Sequence, residues 1–400
     1  MASLSSAGHP AFCEQGQEAR DWEKVIGICF KPLHGTLGIG LLMRIDLAKT
    51  ILAVGRRFGR FAVLLLLPPV AIIMTLWFSL MEEHLGWFLA SAFVVLPIVM
   101  ITIAFLVGML FAGFWRKKIR GVSRSEAPGL WSAWESVAGS AVARKTTIVL
   151  DDRPNASVAV ERTLLGFGQH YILDVGIPLL AVTDKQAMFA ILKHENGHLL
   201  NKDVNGSLRL AELDRTFDFV FDFAPPDSSI SGRLLFTLLG GLSQSFERET
   251  MRLSRDAEIK ADRQAASGGR AEDAAQALLL LSASIEFLEE TVYEPLRHEL
   301  MGAMSPPTPP LKRVSAAAVK LHDAELLNSY AQKAWAAPVD EHSSHPSCAQ
   351  RLSALGYEEC FPIKPVATSA LALLEDGFAQ RTIAALDEAW TNRVADQLQW

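Results

Sequence analysis

Two long uncharged runs dominate the hydrophobic pattern. From Phe61 to Met81, 21 residues carry no formal charge; Glu82, Glu83 and His84 interrupt, and 31 more uncharged residues follow from Leu85 to Trp115. A helix needs about 20 apolar residues to cross the hydrocarbon core. The pattern therefore predicts a transmembrane hairpin over 61–81 and about 88–115, with Pro68, Pro69 and Pro97 as expected kinks. A pair of buried core helices is the competing reading, but soluble helices this long rarely lack a polar face. Arg56, Arg57 and Arg60 precede the first run, Arg116, Lys117, Lys118 and Arg120 follow the second, and the turn between them has no Lys or Arg. Positive flanks stay cytosolic, which predicts a multi-pass protein of the cell (inner) membrane with its N-terminus and everything after Trp115 on the cytoplasmic side. Residues 1–60 show no apolar core behind a basic start and read as a cytosolic extension rather than a secretory signal.

Beyond the hairpin the pattern shortens. Ser132–Ala143 reads as a surface helix. Lys145–Leu150 is rich in β-branched residues and ends at Asp151, Asp152 and Pro154, a strand followed by a turn; Ser157–Val160 and Tyr171–Val175 are further strand candidates. At Thr183 the period changes. Thr183 and Gln186 have capping-box spacing, and Met188, Phe189, Ile191 and Leu192 recur at helical intervals, so a helix is expected to run to about Asn201. Ala271–Val292 is a strongly apolar helix. The run Ser305–Pro310 is a proline-rich connector, helices resume at Leu311–His322 and Ser329–Ala336, and residues 362–400 form an amphipathic tail.

The helix after Thr183 carries the candidate chemistry, His194-Glu195-Asn196-Gly197-His198. Residues i and i+4 share a helix face, so both imidazoles can reach one zinc ion, and Glu195 can face water at the open position as general base. Gly197 inside the helix costs about 1 kcal/mol relative to alanine, a sign of close approach by another backbone or a substrate. A site of this type needs a third protein ligand. Glu258 supplies one, and Asp262, four residues on, shares its face and can hold the far nitrogen of a histidine, taken as His194. Cobalt or manganese would also suit these donors in vitro.

Composition narrows the alternatives. The net charge of −6 and pI near 6.0 give no basic footprint for nucleic acid, and there is no phosphate-binding loop or nucleotide fingerprint. Cys13, Cys29, Cys348 and Cys360 are far apart and form no CxxC pair, which suits free thiols in a reducing compartment.

The chain resembles the membrane gluzincin peptidases, the family of HtpX-like quality-control proteases and CAAX prenyl proteases. The resemblance is carried by PNASV at Pro154–Val158, IPLLAVTDKQAMFAILKHENGH at Ile177–His198, SRDAEIKAD at Ser254–Asp262 and HPSCAQRLSALG at His345–Gly356. It implies an α+β, mostly helical gluzincin-type fold, with a small β-sheet over the HExxH helix and an edge strand that aligns substrate by strand addition. It implies one zinc ion, protein or peptide substrates, membrane-protein quality control as a role, Asn155 at the substrate cleft, and His345 or Arg351 stabilising the oxyanion. The expected organisation is an extension (1–60), the hairpin (61–115), a metallopeptidase core (116–304) and a C-terminal helical region with the HPSCAQR motif (305–400). HtpX-like relatives place further spans between HExxH and the third ligand. Here that interval has only the short apolar clusters Phe217–Phe223 and Leu234–Leu242, read as amphipathic helices. Two spans are too few for the intramembrane chamber a prenyl-protein processing enzyme would need. The alternative expectation is a catalytically silent zinc-binding membrane scaffold.

Overall fold

The computed structural model describes residue 50 and residues 53–111, 120–163, 168–201, 251–267, 271–340, 343 and 345–398. The clusters Phe217–Phe223 and Leu234–Leu242, the thiols Cys13 and Cys29, and residues 112–119 at the end of the second predicted span lie outside them.

Two helices, α1 (Leu67–Glu83) and α2 (Leu85–Phe111), form the apolar hairpin, entered through a 3-10 stretch at Gly59–Leu66. Pro68 and Pro69 sit in the first turn of α1, where a missing N–H leaves no helical bond unmade, so they start this helix instead of kinking it. Pro97 alone lies inside a helix. Trp77 stacks on Phe88 with ring centroids 4.4 Å apart, and its indole N–H donates to the Phe88 carbonyl, clasping the two helices beside the turn. The spans Phe61–Glu82, which includes the 3-10 stretch, and Leu85–Met109 are long and apolar enough to cross a membrane, yet only 11% and 33% of their most apolar windows are buried. Phe93 is 87% exposed, and Ile72, Leu76 and Val94 are exposed with it. Helices that served as the core of a soluble domain would hide these side chains.

The remaining elements build a mostly helical α+β domain. Helix α3 (Pro128–Ala138) buries Leu130, Trp131 and Trp134, and ends at Gly139, whose φ of 82° favours glycine. A separate helical turn, Ser140–Ala143, follows, so the single surface helix expected over Ser132–Ala143 is two pieces, the first of them with one buried face. Strands β1 (Thr146–Asp151), β2 (Ala156–Thr163) and β3 (Gly168–Gly176) form one sheet in the order β1-β3-β2. β1 is parallel to β3 and β2 antiparallel to it, which leaves β2 at an edge. The completely buried α4 (Ile177–Val182) then leads into α5 (Lys185–Leu200), which packs against β2. The N-cap of α5 is Asp184, whose carboxylate accepts from the Ala187 N–H at 2.7 Å. The Thr183 hydroxyl instead donates back to the Leu179 carbonyl, so the Thr183–Gln186 capping box does not form. In its extended conformation Asp184 reaches the third N–H of α5, leaving Thr183 to satisfy the end of α4.

Two hydrophobic clusters hold α5 in place. One joins Met188, Ile191 and Leu192 to α3, the sheet and Leu373, Leu374 and Ala379. The other joins Ala187 and Ala190 to Leu279, Ala283 and Phe287 of α7 (Ala271–Leu288). Residues 251–267 are the intervening helix α6. A π turn (Glu289–Tyr293) leads from α7 into α8 (Glu294–Met301), followed by α9 (Pro310–Ala318), α10 (Ala324–Ala336), the short α11 (Cys348–Ser353) and α12 (Phe378–Leu398). The C-terminal residues are integral to this packing. Buried Asp387 of α12 accepts the first-turn N–H groups of Leu311 and Lys312, both at 3.0 Å, and the Ala370 N–H donates to the Thr183 carbonyl at 2.7 Å.

Candidate metal centre

The site forms where α5 meets α6. On α5, His194 and His198 point the same way, their Nε2 atoms 3.1 Å apart. From α6, Glu258 Oε2 lies 3.4 Å from His194 Nε2, and its Oε1 lies 3.6 Å from His198 Nε2. Among the described residues this is the group of histidine and acidic side chains able to hold a metal ion, with all three donor atoms within 4.8 Å of one another. Ligands at about 2.0–2.1 Å from a tetrahedral zinc stand about 3.3 Å from each other. The 3.1 Å between the two nitrogens and the 3.4 Å from Glu258 Oε2 to His194 Nε2 lie near that edge. The 3.6 Å to His198 Nε2 is from the other carboxylate oxygen, and with one oxygen per carboxylate all three donors stay within 4.8 Å. The residues present therefore fit a zinc ion bound through two imidazoles and one carboxylate.

The other nitrogen of His194 is also held: Nδ1 is 2.8 Å from Asp262 Oδ1. A proton on Nδ1 donated to Asp262 leaves Nε2 as a lone pair facing the centre. Asp262 is gripped in turn by Arg351, whose Nε and Nη2 donate to Oδ2 and Oδ1 at 2.8 and 2.7 Å. The same Nη2 lies 3.4 Å from Glu258 Oε2, so one guanidinium braces both carboxylates of α6. Arg351 reaches them from α11, whose N-terminus is closed by a capping box between Ser347 and Gln350. That Ser-x-x-Gln signal is legible in the sequence and was not among the features picked out above. His345 stands at the mouth, its side chain 64% exposed and its Nδ1 3.2 Å from Glu258 Oε1. The segment carrying it is tied to α6 by Arg255, which donates to the carbonyls of Asp340 and Ser343. Nothing in the local pattern around Arg255 separates it from an ordinary surface charge.

Glu195 is buried beside the histidines, and the backbone of Val158 on β2 hydrogen-bonds its carboxylate. Burial pushes its pKa up, against the pull of His194 and His198. Burial alone would lower the pKa of His194, but Asp262 and Glu258 more than reverse this and raise it to about 9. Burial opposes ionisation of Glu258 as well; its three histidine neighbours override that and hold it well below the usual carboxylate range. Asp262 is likewise lowered against burial, by Arg351 and His194. A cleft of about 650 Å³ opens over these groups. Exposed Asn155 and residues Ala156, Ser157 and Val158 line one side of it, α7 lines another, and Arg56 reaches it from just ahead of the hairpin. All eight residues singled out from the sequence thus border this one cleft.

An HExxH helix under a small sheet, completed by a carboxylate from a second helix, defines the metallopeptidase class. The sequence model of peptidase family M48 matches residues 152–359, just over half of the chain, and the chain belongs to that family. Among solved structures, the crystal structure of S. mikatae Ste24p is similar at 17% identity and a TM-score of 0.33, over 78% of this chain. This chain spans 66% of that one. A comparison with curated proteins found no match.

Proposed function

We propose that the chain is a membrane-anchored zinc endopeptidase, with His194, His198 and Glu258 as metal ligands and Glu195 as general base. The observation that carries this reading is the convergence of the three donors within 4.8 Å, with a buried, pKa-raised Glu195 next to them. His194, His198 and Glu258 would hold a zinc ion that would supply Lewis acidity to the scissile carbonyl and an attacking water. Glu195 takes the proton from the attacking water and delivers it to the leaving amine; its raised pKa suits both transfers. Asp262 holds His194 by Nδ1 and keeps Nε2 available. With two of its nitrogens on Asp262, Arg351 serves to position the α6 carboxylates, whereas exposed His345 is the group suited to donate to the oxyanion.

The edge of β2 runs past Glu195, so an extended substrate can add to it as a fourth strand, with Asn155 at its end. The exposed apolar hairpin and its positive flanks support anchoring in the bilayer with the cleft on the cytosolic side. Arg56 at the cleft brings the membrane-entering segment to the site, which suits substrates at the membrane surface, including damaged membrane proteins.

The test compares zinc content and casein hydrolysis of wild type and Glu195→Gln. Zinc in both is expected, with cleavage reduced roughly 10²–10⁴-fold in the variant. Zinc in both with equal cleavage would remove Glu195 from its role. Zinc in both with no cleavage by either would favour the silent scaffold.

A further inference from the structure

The positions that carry ligands explain the donor set only if α5 and α6 lie at one particular separation. A side chain built at Gly197 would place its Cβ 3.0 Å from Ala261 Cα and 3.1 Å from the Ala261 carbonyl oxygen. At this point the two helices therefore meet backbone to backbone. Ala261 is completely buried, and Ala265, one turn further along α6, is buried too. The contact sits inside the ligand set. Gly197 lies between His194 and His198 on α5, and Ala261 lies between Glu258 and Asp262 on α6. A glutamate anchored on one helix can reach Nε2 atoms on another only over a short gap, and helix separation is set by the side chains at the contact.

We infer that Gly197 is a positioning residue for the metal centre: its missing side chain lets α6 approach until Glu258 and Asp262 engage the two histidines. This inference rests on the zinc-site reading above. A methyl group at 197 meets backbone atoms, which cannot rotate away, so α6 must back off by several tenths of an ångström. Glu258 Oε2 and Oε1, now 3.4 and 3.6 Å from the histidine nitrogens, would move with it, as would the Asp262–His194 contact. Helix propensity works in the opposite direction, because alanine stabilises a helix interior relative to glycine. The two effects can thus be separated by measurement.

The experiment uses full-length protein in detergent and measures zinc affinity by chelator competition, together with thermal unfolding of the metal-free protein. Wild type, Gly197→Ala, Ala261→Gly and the double variant are compared. Gly197→Ala is expected to weaken zinc binding by about tenfold or more, the scale on which misplaced supporting groups act, while the metal-free protein still unfolds in one cooperative transition. The double variant removes only the Ala261 methyl, 3.3 Å from the built Cβ, and keeps the closer Cα and carbonyl contacts, so it is expected to recover only a small part of the lost affinity. Unchanged affinity in Gly197→Ala would overturn the spacing role and leave the zinc site standing. So would a loss of affinity that comes with loss of cooperative unfolding in the metal-free protein. A wild type that binds no zinc would overturn the site itself.

Discussion

At the scale of residues, the centre couples metal binding to protonation. Without metal, His194 is raised from 6.5 to about 9 by its carboxylate neighbours. Its ion pairs therefore contribute stability to the metal-free chain that is fully present below about pH 6.5 and lost as pH rises through about 9. Zinc requires the neutral imidazole, so binding must expel that proton throughout this window. The expected outcome is an apparent zinc affinity that tightens about tenfold per pH unit between pH 6.5 and 9 and then levels off, read by chelator competition at a series of pH values. A flat profile would mean that His194 is not protonated in the metal-free site. This pairing was legible because each half of it lies within one helix, as HENGH and as Glu258 with Asp262. The Arg351 fork was not, because it joins residues 89 positions apart, and although Asp262 and Arg351 were each marked, no local pattern pairs them.

At the scale of elements, the sequence pattern placed the three strands and the active helix, since alternation and helical periodicity are local properties. It misplaced the cap of α5, where Thr183 and Asp184 compete and the end of α4 decides between them. It also read residues 362–400 as an amphipathic tail. The buried face of α12 carries Asp387 along with Ala379 and Val394, and Asp387 closes the N-terminus of α9. Replacing Asp387 with alanine removes the cap from two N–H groups, one of them buried, and is expected to destabilise the domain by about 1–2 kcal/mol. Urea unfolding of the detergent-solubilised protein would measure this. An unchanged midpoint would show that water replaces the carboxylate at no net loss.

At the scale of the whole molecule, the hairpin and the cleft set the orientation of the enzyme. In the proposed orientation, with arginines ahead of α1 and basic residues after the second run, the turn at His84 faces the side opposite the catalytic domain. A reporter that is active only outside the cytosol is expected to work when fused after His84 and to be silent when fused after Trp400. The reverse pattern would invert the topology and place the cleft outside. The apolar hairpin, the metallopeptidase class and the two helices that carry His194, His198 and Glu258 were determined by the sequence alone, because length, hydropathy and i, i+4 spacing act within a single segment. Tertiary structure alone decided how close those helices come, which guanidinium braces their carboxylates and what the C-terminal helix supports. Each of these joins groups far apart in the chain through packing, and side-chain volume across a contact leaves no periodic trace in either partner's sequence.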